Sequence, residues 1–278
     1  MIQRFELRKR QLVNDAKITP QVYDGLLERL PVFLERFTAS MRQRKQKTRM
    51  GEYLQGLLSD MERKNVETIA YLHDQERQSM QHFVGRANWG YKPMLSELTR
   101  QIGEELGEPD GVITIDPSGF EKDGTESVGV QRQWLGRFGK VDNGQVGVYL
   151  GYASRKGHAL CDVRLYLPED WARDKKRLRK CGVPKDIRFQ TRHELAQSML
   201  TERGHLLPHA WVTGDGEMGR SSRFRVWLRS HGERYLLAVP SNTTIRDLEA
   251  KPPVWSVIGA KPKRKYTTLG HERCFLHR

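Results

Sequence analysis

The chain has 278 residues, enough for a sizeable core and one or two domains. Charged residues make up 29% and hydrophobic ones 37%, which reads as soluble and globular, and no apolar run is long enough to span a bilayer. Lys and Arg outnumber Asp and Glu by 48 to 34, and the formal net charge of +14 favours polyanionic partners, nucleic acid foremost.

The N-terminus, MIQRFELRKRQ, is charged and lacks the apolar core of a signal peptide, so a cytoplasmic location is expected, nucleoid-associated if DNA is the partner. Cys161, Cys181 and Cys274 lie far apart, with no CxxC pair and no zinc spacing. Reduced thiols are expected, with Cys161 in the core of a strand.

Residues 1–110 read as helical. Val22–Phe37 carries Leu26, Leu27, Leu30, Val32, Phe33, Leu34 and Phe37 at mostly helical spacing, and Thr19-Pro20 fits an N-cap with proline at the first helical position. The run MRQRKQKTRM follows, with Arg42, Arg44, Lys45, Lys47 and Arg49. It fits a solvated face or a DNA-phosphate contact, and the overall charge favours DNA. Met50–Met61 continues as a helix with Tyr53, Leu54, Leu57 and Leu58 on its apolar side. Asn65–Leu72, Gln75–Val84 and Pro93–Leu106 complete the series. Successive short helices suit a small DNA-binding module or an ordinary bundle equally well. Trp89 fits a core anchor better than a DNA-stacking residue.

From residue 110 the texture changes. Strands are expected at Val112–Ile115, Gln145–Ala153 and Ala159–Leu167, with a tight basic hairpin, SRKGH, between the last two. The first strand ends on Asp116, and a Pro-Ser-Gly turn is expected directly after it. The stretch WARDKKRLRKCGVPKD holds the densest basic run, including Arg173, Lys175, Lys176, Arg177, Arg179 and Lys180. A loop or short helix on a phosphate backbone fits it, and so does a solvated connector. Thr191–Arg203 reads as a helix with a capping box, Thr191 and Glu194. A short strand at 210–213 ends in Gly214-Asp215-Gly216. Ser221 and Ser222 open a further helix, and Tyr235–Val239 is a last strand. A hairpin-rich start followed by alternating β and α predicts a mixed sheet with helices on its faces. Three parts are expected: 1–108 helical and DNA-binding, 109–245 the sheet domain, and 246–278 a basic linker or tail.

Asp116 and Asp215 both sit at expected strand ends, each before a small flexible residue. If their strands are neighbours, both carboxylates emerge at one place, and hard oxygen ligands there suit Mg²⁺ or Mn²⁺. Two such ions, roughly 3.5–4 Å apart, activate a water or a 3′-hydroxyl at a phosphodiester. The alternative is that each Asp caps the turn or helix that follows.

The words IDPSGFEKDGTESVGVQRQWLGRFGKVDNGQVGVYLGYAS, LYLPEDW, GVPKDIRFQTRHELA and WVTGDGEMG, followed by YLLAVPSN, resemble the DDE-type transposases of bacterial insertion sequences. The nearest likeness is to the "seven-oh-one" family of those elements. RMGEYLQGLLSDMERKN and FVGRANW also look like that family's N-terminal region. The resemblance implies an RNase H-like catalytic core and metal-dependent cutting and joining of double-stranded DNA at transposon ends, by a homodimer. Asp116 matches the family's first catalytic acid and Asp215 the second. Gln131, Gln133 and Gln145 lie in a matching stretch and fit DNA contact, site ordering or strand-edge packing.

Three departures stand out. Pro117 replaces a second acid usual in the family, and Met218 replaces an aromatic. The family's third acid, a Glu on a later helix, has no clear counterpart before Arg278. A truncated or frame-shifted copy is therefore expected, with Glu272 in HERCF either a late third acid or an incidental residue. The functions in play are a transposase, inactive if the third acid is missing, a non-catalytic DNA-binding remnant that occupies transposon ends and inhibits the full-length enzyme, and a nuclease of the same fold.

Overall fold

A computed structural model describes residues 25–39, 41–87 and 89–240, together with Leu7, Arg10 and Thr243. The chain divides into two compact units, Met1–Leu98 and Thr99–Arg278. Thr19-Pro20, Cys274 and Glu272 lie outside the described residues, as does all of 246–278.

The first unit is helical. It holds α1 (Leu26–Thr38), α2 (Arg44–Leu58), α3 (Val66–Leu72), α4 (Arg77–Gly85) and the start of α5 (Lys92–Leu106). Leu30, Leu34 and Phe37 recur at helical spacing and are buried with Met41, Met50, Ile69, Ala70, Met80 and Phe83. Val32 and Phe33, expected on the apolar side, point to solvent, and so do Leu57 and Leu58. The apolar stripe is narrower than composition implied. Asn65 caps α3 by accepting from the N–H groups of Glu67 and Thr68. Gly56 lets α2 approach α3, because a Cβ there would stand 2.6 Å from Ile69 Cγ2. Trp89 anchors the core, stacking on Phe83 and donating its indole N–H to the Phe83 carbonyl at 2.8 Å.

The second unit is built on one mixed sheet. Its strands are β1 (Val112–Glu121), β2 (Gln131–Leu135), β3 (Lys140–Ala153), β4 (His158–Leu165), β5 (Trp211–Gly214) and β6 (Tyr235–Leu237). β3 is antiparallel to β1, β2 and β4, while β5 is parallel to β1 and to β6. Gly144 pairs with Glu121 on one side and Gln131 on the other, so β2 and β4 lie end to end along one edge of β3. The order across the sheet is β4-β3-β1-β5-β6, with β2 extending the β4 edge. This is the RNase H-like mixed sheet that the resemblance implied. The helices are α6 (Glu169–Arg173), α7 (Lys175–Lys180), α8 (Arg192–Arg203), α9 (Gly216–Arg220) and α10 (Ser222–Ser230).

Two expectations are corrected here. β1 does not turn at Pro-Ser-Gly but runs on to Glu121, paired residue for residue with β3. Lys122 donates to the Asn143 carbonyl across that line, so by alternation the residue-117 nitrogen faces away from β3. β5 ends opposite Ile115, and Pro117 therefore forfeits no ladder bond. The stretch between the first two expected strands also contains a strand, and β3 starts at Lys140 rather than Gln145: β2 and β3 form a hairpin whose turn closes on Gly139 at φ 63°.

One face of the sheet is core. Ile113, Ile115, Val146, Val148, Leu150 and Tyr152 are buried, as are Leu195, Ala196, Met199 and Leu200 of α8. Cys161 is buried in β4, as expected. Beside it Asp162, also buried, accepts from Arg203 at 2.8 Å and from Arg164 at 3.1 Å.

Candidate functional site

Asp116 and Asp215 come together. Ile115 on β1 pairs with Gly214 on β5, and the two strands run parallel, so the next residue on each is an aspartate. β5 stops there while β1 continues, which opens the sheet beside Asp116. A loop at the C-terminal end of a parallel strand is where open α/β sheets place ligand-binding groups.

Asp116 is exposed, and its carboxylate makes no hydrogen bond among the described residues. Partial burial, then the Asp215 carboxylate, then Glu217, hold its carboxyl above the ordinary carboxylate range. Its cross-strand neighbour is Tyr149, whose phenol is also pushed up, first by burial and then by Asp116. Asp215 does cap a helix: its Oδ1 accepts from the N–H groups of Glu217 at 3.0 Å and Met218 at 3.1 Å. The capping alternative is thus true of Asp215, yet it uses one oxygen and leaves Oδ2 without a hydrogen bond among the described residues. Met218 is fully buried beneath this turn.

Glu217 was missed in the sequence. It lies two residues past Asp215, and Arg192 Nη1 reaches both its oxygens, at 2.9 and 2.8 Å. Arg192 also touches Gln133 Oε1 at 3.4 Å and lies over the Tyr166 ring at 4.9 Å. His193 Nε2 sits 3.0 Å from the Glu217 carbonyl. Nothing in the spacing pairs residue 192 with 217; the nearest signal is that both adjoin recognised features, the Thr191 cap and Asp215. Of the three glutamines, Gln133 joins this cluster, Gln131 reaches Asp170 at 3.4 Å, and Gln145 bonds the Val128 carbonyl.

Mg²⁺ binds through one or two carboxylates and leaves further positions to water and phosphate. Asp116 and the free oxygen of Asp215 fit that donor set. Among the described residues no three His, Cys, Asp or Glu side chains form a group that could hold a metal, and Glu217 is paired with Arg192.

The basic residues separate into two kinds. Arg42, Arg44, Lys45 and Lys47 are exposed at the start of α2, and Lys175, Lys176 and Arg179 are exposed on α7. Arg49 is not available to a phosphate and is withdrawn from that set. It is buried and bonded to Glu52, to Gln75 at 2.7 Å and to Ser79 at 3.1 Å. Arg177 stacks on Trp171 at 3.5 Å, and Lys180 pairs with Glu126 at 2.7 Å, so both have structural work already.

The sequence profile of the DDE superfamily endonucleases matches residues 33–273. The chain belongs to that family. A stretch of 94 residues, 34% of this chain and 25% of the relative, is 31% identical to the probable transposase for insertion sequence element IS701 of Microchaete diplosiphon. The chain thus spans about a quarter of that relative's length. A crystal structure of a pre-cleavage Mos1 transpososome aligns with 66% of this chain and 57% of that chain at 13% identity, with a TM-score of 0.18, too loose a fit to bear on function. The superfamily generally uses divalent metals. No helix of the described residues is long and apolar enough to cross a membrane.

Proposed function

We propose that the chain is an insertion-sequence transposase that cleaves and joins DNA strands at transposon ends, with Asp116 and Asp215 as catalytic acids that hold Mg²⁺ or Mn²⁺. The observation that carries this reading is the pair of aspartates that follow the paired Ile115 and Gly214, Asp116 on β1 and Asp215 just past the end of β5, in a member of the DDE superfamily endonucleases. The bound ion would supply charge neutralisation at a phosphodiester and an activated oxygen nucleophile. The chain's own part is to hold the two carboxylates in register, that of Asp116 without a hydrogen bond and that of Asp215 with one oxygen spent on a helix cap, with Arg192 keeping Glu217 engaged beside them.

Double-stranded DNA is the substrate on this reading, bound by a homodimer in the cytoplasm at the nucleoid. Arg44, Lys45 and Lys47 open α2, where the helix dipole is already positive and no acid occupies the first turn. Phosphates there relieve that repulsion, and the exposed lysines and arginine of α7 serve the same end.

The test is metal-dependent cleavage of supercoiled DNA carrying the element's ends, by the wild type and by Asp116→Ala, Asp215→Ala and Glu272→Ala. Cleavage lost in both aspartate variants, with DNA binding kept, is the expected result; its loss in Glu272→Ala as well would make Glu272 the third acid. Cleavage that survives both aspartate changes would sink the assignment. Binding without cleavage by the wild type would favour the non-catalytic, inhibitory alternative.

A further inference from the structure

The sheet face that carries Asp116 is open, and one end of it is aromatic and cationic. Pairing fixes which residues share that face. Asp116 lies opposite Tyr149, Phe120 opposite Gln145, Trp134 opposite Val141, and Arg132 opposite Asn143, which itself pairs with β1 just past its end. Residues directly opposite in a sheet point to the same side, and so do residues two apart along a strand. Asp116, Phe120, Trp134 and Arg132 therefore share a face.

Such large aromatic groups are normally covered. Here Trp134 is 54% exposed, Phe120 47% and Phe138 41%. Phe120 meets Tyr149 edge-on at 6.4 Å, which ties the patch to Asp116's neighbour. Phe138 stands at the hairpin tip, with the Arg137 guanidinium 5.7 Å from its ring centre. Gly139, at positive φ, closes that turn, and the Lys140 ammonium on the opposite face stands 6.0 Å from the Phe138 ring, so Phe138 belongs to the tip rather than to the Asp116 face. Lys140 is not a free cation, because Glu121 and Asp142 hold it at 2.7 and 2.8 Å. Lys122, Arg132 and Arg137 are exposed. Phe120 lies about 13 Å along β1 from Asp116, four residues at strand rise.

Exposed rings interleaved with exposed cations match a nucleotide strand, whose bases offer flat faces and whose phosphates offer charge. A duplex hides those faces in its stack. We propose that the β2–β3 hairpin with Phe120 is a stacking platform for unpaired nucleotides of a DNA strand led toward Asp116 and Asp215, Trp134 and Phe120 being the main stacking groups. This deepens the transposase reading and rests on it for the identity of the strand. Its test is independent of cleavage, because it is done without metal.

The measurement is fluorescence anisotropy of a labelled oligothymidine of about 12 nucleotides, within the usual site size, in chelator. The comparison is a blunt duplex of the same length. Trp134→Leu and Phe120→Leu are each expected to weaken single-strand binding about ten-fold, the scale of one lost stacking contact, with less than about two-fold change on the duplex. Trp134→Phe keeps a ring and is expected to retain most of the affinity, which separates stacking from a folding defect. Arg137→Gln is expected to lower the salt slope by about 0.7, whereas Trp134→Leu leaves the slope unchanged. Equal losses on both DNAs, or none on the single strand, would overturn the platform. So would a wild-type dimer that Trp134→Leu converts to monomer in sedimentation, since the patch would then be a contact between copies. Asp116→Ala, which tests the cleavage reading, is expected to leave single-strand binding intact.

Discussion

Asp162 and Arg203 show at the residue scale how much of this sheet depends on ionic pairing in its interior. Both are essentially fully buried, and Arg164 adds a second cation to the same carboxylate. Removing Asp162 takes away the fully buried partner of Arg203 and leaves it only the part-exposed Glu202 at 3.0 Å, which Arg164 also uses at 2.7 Å. Asp162→Ala is expected to cost about 3–5 kcal/mol, whereas pairing it with Arg203→Met should recover much of the loss. Urea unfolding of the single and double variants reads both, and simple additivity would contradict the account. Cys161 is a second residue-scale case. Burial, and then Asp162, push its thiol up to about 12. A thiol reagent at neutral pH is expected to spare Cys161 in the native chain and to react with the more accessible Cys181. Mass spectrometry of the labelled peptides decides this, and native labelling of Cys161 would count against its burial.

At the scale of elements, capping does much of the work. Thr191 and Glu194 satisfy each other's backbone at the start of α8, the helix that carries Arg192. Thr191→Ala is expected to cost about 1 kcal/mol. The Glu194 carboxyl lies below its ordinary range, first because the Thr191 N–H donates to it and then because of the Thr191 hydroxyl. A carboxyl depressed in the folded state stabilises it above the unfolded pKa, and that contribution is lost as pH falls through the folded value. Glu194→Gln should therefore flatten the decline in urea midpoint between about pH 5 and pH 3, where glutamate titrates. Superimposable pH profiles for the two proteins would reject this. Between α2 and α3 the close contact is Gly56 against Ile69. Gly56→Ala gains helix propensity but drives a methyl into a buried side chain, so a net loss of about 1–3 kcal/mol is expected. A thermal midpoint at or above wild type would show that Ile69 yields.

At the scale of the molecule, charge and sheet topology set the behaviour. On the transposase reading proposed above, DNA affinity should fall as salt rises, with each phosphate contact contributing about 0.9 to the slope of log K against log salt on duplex, and a net charge of +14 suits such contacts. Substituting Lys45 and Lys47 by Gln should lower that slope, whereas Arg49→Gln should act on stability instead, since Arg49 is spent on Glu52, Gln75 and Ser79. Sheet order does the rest: only because β5 inserts beside β1 do two aspartates distant in sequence become neighbours.

The sequence by itself determined what is local. Periodicity marked α1 through α5, the Thr191–Glu194 pattern marked α8, and β-branched and aromatic runs marked β3, β4 and β5, because such signals act within a few residues. Its ordered words also placed Asp116 and Asp215 as the acids to watch. Only the tertiary structure decided that β1 continues through Pro117, since that depends on which edge β5 leaves unpaired. It alone showed β2, whose polar alternation looks like a loop until β3 pairs with it. It alone joined Arg192 to Glu217 and took Arg49 out of the exposed basic set, because ion pairing and burial depend on residues far apart in the chain. The adjacency of the two aspartates is likewise a property of strand order, which no spacing in the sequence encodes.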